Sequence, residues 1–283
     1  MKVGLQIYSV RNRMAEDPVG TLQKVSDMGY KYIETYSHPE GRDEKTFGFG
    51  LPVKEAKARL DDLGLKVVGA HFYPEHPEGL DEYCAYYAEL GADQVGCGGI
   101  YETEMAHKAA NLNAAGKVAK KHGLRYYYHN HYHEYRKVNG EYIMHIYAKE
   151  TDPELVAFEL DTFWLARAGL NPVEEIKYYG NRLVLLHQKD FTKGLDEPIS
   201  VFGEGRIDRC EPITPEIMDK YRRQDVYAEV GTGILPIQDY IDAGNEVGCP
   251  YILLEQDFTT MDEIDSIQTS MDAFRKFKGI EWD

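Results

Sequence analysis

Short apolar runs alternate with helix-patterned segments along the whole chain, and this alternation constrains the fold more than any other feature. Val3–Tyr8, Tyr30–Tyr36, Lys66–Ala70, Asp93–Cys97, Leu124–His129, Val156–Asp161, Leu183–His187 and Tyr251–Glu255 read as strands. Between them, apolar residues recur at helical spacing. After Asp17-Pro18, an N-cap with proline in the first turn, Val19, Leu22, Val25 and Met28 step by about three. Lys54–Leu63, Leu80–Leu90, Glu104–Lys121, Tyr142–Lys149, Pro172–Tyr179, Pro236–Val247 and Met261–Phe277 read as further helices. Gly64, Gly91, Gly123 and Gly248 close four of them. Eight strand–helix units predict one α/β domain over residues 1–283, a (β/α)8 barrel. A doubly wound sheet competes, but no GxGxxG loop follows the first strand. Residues 190–225 break the rhythm with Gly194, Pro198, Gly203, Gly205, Pro212 and Pro215, and are expected to form an active-site loop or small insertion.

The polar residues at the strand ends carry the functional signal. His129-Asn130-His131, Asp161, His187 and Glu255 stand at or near the C-terminal ends of the last four barrel strands. Those ends converge on one face of a parallel barrel, the face that holds active sites. Carboxylates and imidazoles in such a series suit Mn, Mg, Co or Zn as a divalent metal ion, with positions left for substrate oxygens. His71 and Glu34 end the third and second strands and are candidates for substrate contact. Lys189 lies two residues after His187, so it points to the same side. It either binds substrate or pairs with a carboxylate across the barrel mouth. Trp164 either stacks on a sugar face or fills the core beneath a loop. Gly96-Cys97-Gly98-Gly99 leaves room for a ligand or for close backbone packing. His76, His107, His122 and His145 have no strand-end placement and read as surface or packing residues.

Composition narrows the partners. The net charge is −16, from 32 basic and 48 acidic residues, which opposes a nucleic acid partner because phosphate binding needs a basic footprint. A small sugar remains compatible. Met1–Tyr8 is too short an apolar stretch for a signal peptide or membrane span. Cys84, Cys97, Cys210 and Cys249 form no CxxC pair, so free thiols in a reducing cytoplasm are expected.

Six segments together resemble the xylose-isomerase-like TIM barrels, the sugar phosphate isomerase/epimerase family. They are Gly4-Leu5-Gln6-Ile7-Tyr8-Ser9, His129-Asn130-His131 with Glu134, Glu159-Leu160-Asp161, His187-Gln188-Lys189-Asp190, Glu229-Val230-Gly231-Thr232-Gly233 and Glu255-Gln256-Asp257. The resemblance implies a metal held by Glu, Asp, His and Glu from the fifth to eighth strands. Asp161, His187 and Glu255 match by order. The fifth strand departs from the pattern, since His129 stands where a glutamate is usual. Glu134 is taken as the first ligand, with His129 or His131 as alternatives. By the same resemblance, Glu134 and Glu255 form the proton-transferring pair. The substrate-contact candidates are His71, His131, Lys189 and Trp164.

The expected activity is that of an isomerase or epimerase acting on a sugar or keto-sugar through a metal-stabilised enediolate. A lyase or dehydratase acting on a keto-sugar, keto-inositol or keto-glycoside uses the same enolate and differs in expelling a β-substituent. A DNA-repair endonuclease of the same superfamily is opposed by the charge and by the lack of an evident ligand supply for several zinc ions. A non-catalytic sugar binder would have no need of the Asp161, His187, Glu255 series. Homo-oligomerisation is a further expectation from the resemblance.

Overall fold

A computed structural model describes residues 1–36, 49–72, 79–98, 105–221 and 223–282, with backbone only at 105–107, 215 and 219. His76, Gly99, Glu104 and the side chain of His107 therefore lie outside the described residues. Eight parallel strands close into a barrel: Lys2–Gln6, Tyr32–Tyr36, Lys66–His71, Gln94–Gly98, Arg125–His129, Val156–Asp161, Leu183–Gln188 and Tyr251–Leu254. The first strand pairs with the second and the eighth, which closes the ring. The chain is therefore a single (β/α)8 barrel, as the alternation predicts. Among the described residues, no helix is long and apolar enough to cross a membrane.

Local chemistry sets the element boundaries. The Asp17 carboxylate accepts the Gly20 N–H and starts the helix Pro18–Asp27. Asn171 caps Pro172–Tyr179 in the same way. The first strand stops at Gln6, two residues earlier than its apolar run. There the Gln6 side chain accepts the Tyr8 N–H and Ser9 donates to the Gln6 carbonyl, so Ile7–Val10 curls into a 3-10 turn. A short helix, Thr162–Arg167, follows the sixth strand directly. Asp161 is its N-cap, accepting the Trp164 N–H at 2.8 Å.

Inward-facing side chains fill the barrel below the site. Tyr127, Ala157, Leu185 and Leu253 are fully buried in a cluster separate from the helix-facing core. Gly69 makes room for them. A Cβ there would sit 2.8 Å from Glu34 Oε1 and 3.0 Å from both Leu185 Cδ1 and the Tyr127 hydroxyl. Large residues pointing inward from the second, fifth and seventh strands thus require glycine at this point, and the plug gives the polar layer above it a rigid floor.

Asp190 organises the loops on the seventh-strand side. Its buried carboxylate accepts N–H groups from Phe191, Gly231, Gly233 and Leu235 at 2.8–3.0 Å. The segment 190–225 contains the helix Pro215–Tyr221. It is tied to the barrel by the buried Arg167 guanidinium, which donates to Glu197, the Ile199 carbonyl and the Tyr221 carbonyl. Removing the Asp190 carboxylate would take the acceptor from one buried and three part-buried N–H groups at once. Asp190→Ala should therefore lower the unfolding free energy by roughly 2–4 kcal/mol in urea denaturation. A change below about 0.5 kcal/mol would show that the loop is held by other means.

Candidate functional site

The C-terminal ends of the strands carry a continuous buried network of carboxylates and imidazoles. Its lower layer centres on Glu34 and Glu159, both 0% exposed. Gln6 Nε2 donates to Glu34 Oε2 at 2.8 Å, and the Tyr127 hydroxyl donates to Glu34 Oε1. His71 Nε2 lies 2.7 Å from Glu159 Oε2 and 3.2 Å from Glu34 Oε1. His187 Nε2 lies 2.5 Å from Glu34 Oε2 and 3.0 Å from Glu159 Oε1. His129 Nδ1 is 3.0 Å from Glu159 Oε2.

The upper layer holds Asp161, Glu255 and Lys189. The other nitrogen of His187, Nδ1, is 3.0 Å from Glu255 Oε2. Lys189 is fully buried, and its ammonium donates to both Asp161 Oδ2 and Glu255 Oε2. Of the two roles open to Lys189 in the sequence, the structure displays pairing with carboxylates. Asp161 divides its oxygens: Oδ1 caps the helix behind it and Oδ2 faces Lys189.

Proton affinities follow from this packing. Burial alone would raise Glu34, yet the charges and hydrogen bonds of His71 and His187 pull it below the carboxylate range. Burial opposes charge on His71, but Glu34 and Glu159 raise it to about 10. Burial likewise disfavours the charged forms of His187 and Lys189, and surrounding carboxylates push both upward. Burial lifts Asp161 to about 6 against the pull of Lys189 and His187. The same two cations overcome burial at Glu255 and hold it low.

Glu134 stands apart from these layers. It lies in the 3-10 turn His133–Tyr135, where it accepts the Tyr128 hydroxyl and the His131 N–H, each at 2.8 Å. His133 Nε2 is 3.2 Å away. Donor atoms that could share a cation, all within 4.8 Å of one another, fall into three groups among the described residues. They are His129, Asp161, His187 and Glu255; His71, His129, Glu159 and His187; and His131, His133 and Glu134. The first group unites Asp161, His187 and Glu255 with His129 on the fifth strand, while Glu134 joins its histidine neighbours. These are more candidate ligands than the sequence reading supplied.

A cavity of about 180 Å³ opens above the first group. His71, His129, His131, Trp164 and Glu255 line it, with Gln6, Tyr8, Tyr36, Phe72, Tyr132, Met218 and Asp257. Three of the residues expected to touch substrate, His71, His131 and Trp164, therefore face it. Met218 arrives from the helix within 190–225, so that segment forms part of the wall. Glu159 received no role from sequence. Strand alternation was the available signal, because residues 159 and 161 must share a face. Gln6 faces the barrel interior on the same principle.

A model of the xylose isomerase-like TIM barrel matches residues 22–277. The chain belongs to this family. Inosose dehydratase from Clostridium beijerinckii is 28% identical over 169 residues, 57% of this chain and 51% of the relative. The chain thus matches about half the length of that protein. A sugar phosphate isomerase/epimerase from Parabacteroides distasonis superposes with a TM-score of 0.75 at 24% identity, covering 99% of this chain and 95% of that one. The IolI protein, solved with a bound zinc atom, superposes with a TM-score of 0.70 at 13% identity, covering 97% and 96%. The two structural likenesses show a shared fold.

Glu134 makes the network testable by acid. Burial would raise its pKa, but the charge and hydrogen bond of His133, then His131 and Tyr128, bring it to about 2. A carboxyl depressed in this way stabilises the fold above its ordinary pKa, and that contribution fades as pH falls through the folded value. Glu134→Gln should therefore show a shallower loss of unfolding free energy between roughly pH 5 and pH 3 than the unaltered chain. Equal slopes would mean that Glu134 titrates alike in the folded and unfolded chains.

Proposed function

We propose that the chain is a divalent-metal-dependent isomerase or epimerase of a sugar or keto-sugar. One observation carries the reading: His129, Asp161, His187 and Glu255 converge, all buried, beside a cavity that two of them line. Two imidazoles and two carboxylates suit Mn, Co or Zn, and less closely Mg. His129 takes the fifth-strand place that the family resemblance gives to a glutamate. Glu134 already accepts two hydrogen bonds and does not line the cavity. A dication bound by the group would polarise a substrate carbonyl as a Lewis acid.

The chain's own groups handle the proton. Glu255 borders the cavity and is held ionised by Lys189 and His187, so its free lone pairs can take a proton from the carbon beside a carbonyl. The C–H electrons move into the C–C bond and the carbonyl π electrons onto oxygen. Inversion needs a second group on the opposite face to deliver a proton, for which His71 also lines the cavity; return of the Glu255 proton to the neighbouring carbon, with the hydroxyl proton passing to the former carbonyl oxygen, moves the carbonyl. His71 and His131 offer ring nitrogens to substrate hydroxyls, and Trp164, with Tyr8, Tyr36 and Tyr132, offers flat apolar faces to a sugar ring. Lys189 holds Asp161 and Glu255 in place.

A lyase or dehydratase is the second reading, favoured by the likeness to inosose dehydratase. The same proton abstraction is followed by loss of a β-hydroxyl as water or of a β-linked group. The product separates the two.

Asp161→Asn tests the metal site without removing the helix cap, since Asn caps as well as Asp. The variant should fold normally, lose metal affinity by at least about 100-fold and lose turnover. Full metal retention would remove Asp161 from the site. In D2O, the metal-loaded chain should place deuterium at the carbon next to the carbonyl of a keto-sugar substrate. Turnover without such exchange at any stage would argue for a hydride shift instead.

A further inference from the structure

The lower layer of the network is built like a cation site in its own right. On the sixth strand Glu159 stands one inward position before Asp161, roughly 7 Å deeper at about 3.3 Å per residue. His71, His129 and His187 reach it from three other strands, and all four donor atoms lie within 4.8 Å of one another. We propose that the barrel holds a second divalent cation here, beneath the first, bound by His71, His129, Glu159 and His187 with Glu34 adjoining. This rests on the first position only in sharing His129 and His187 with it.

Three observations support the assignment. First, the nitrogens and oxygens converge beyond what protons satisfy well. Nε2 of His71 and Nε2 of His187 each face both Glu34 and Glu159 within 2.5–3.2 Å. A single N–H cannot align with two carboxylates, whereas a cation has no directional proton to place. Second, His129 Nδ1 and Glu159 Oε1 are buried and lack hydrogen-bond geometry despite ion-pair distances of 3.0 Å. Buried polar atoms in that state call for a partner. Third, His187 divides its ring, with Nδ1 toward Glu255 and Nε2 toward Glu34 and Glu159. One imidazole can thus serve both positions as an imidazolate bridge. Filling the lower position replaces the protons of the imidazoles by a dication, which neutralises the same two carboxylates.

Mn²⁺ alone, titrated into the full chelator-stripped chain by calorimetry with metal analysis after gel filtration, tests the proposal. The unaltered chain should bind two equivalents. Glu159→Gln and, as a second variant against a folding failure, His71→Gln should each bind one, and so should Asp161→Asn. Glu134→Gln should keep two. One equivalent in the unaltered chain, lost in Asp161→Asn, would overturn the second site and leave the first standing. Two equivalents retained in both Glu159→Gln and His71→Gln would place the second ion elsewhere and overturn it as well. No binding at all would overturn both positions.

Discussion

Besides Asp190 beneath the loops, the carboxylates Glu34, Glu134, Glu159, Asp161 and Glu255 are buried at one end of the barrel, and everything else about the site follows from compensating these five. An unpaired buried carboxylate is too costly to keep ionised. Among the described residues Lys189 is the ammonium that reaches them, and it is already shared by Asp161 and Glu255. The remaining charge falls on imidazoles and on hydroxyl and amide donors such as Tyr127, Tyr128 and Gln6. Such a network favours any cation that enters it, and breaking one member leaves another exposed to the same penalty.

The barrel makes that arrangement possible. Tyr127, Leu185 and Leu253 fill the space beneath, and Gly69 lets them approach. The polar layer therefore rests on packed apolar groups, which exclude water and strengthen each charge interaction. Above, Arg167 and Asp190 fix the loops that complete the wall, so the cavity depends on buried polar staples as much as on apolar packing.

Much of this was legible in the order of residues. Val156–Asp161 and the helices Leu80–Leu90 and Pro172–Tyr179 coincide with their sequence patterns, because alternation, caps and glycine stops act locally. Asp161, His187 and Glu255 fall together because parallel strands must deliver their ends to one face. The fifth strand was harder. Glu134 lies five residues past His129, and spacing does not reveal the 3-10 turn that directs its carboxylate to Tyr128 and the His131 N–H. Glu159 was overshadowed by Asp161, although alternation puts both inside. The partners of Lys189 could not be read in advance, since they come from residues 28 and 66 positions away.

The family places many chemistries on one barrel, so the account stands or falls on where a metal goes rather than on the fold. Crystals of the chain grown with Zn²⁺ and measured at the zinc absorption edge test this most directly. The account predicts an anomalous peak about 2.0–2.2 Å from donor atoms of Asp161, His187 and Glu255, with His129 as the fourth protein ligand. A fully occupied peak bound instead by His131, His133 and Glu134, with none beside Asp161, would contradict it.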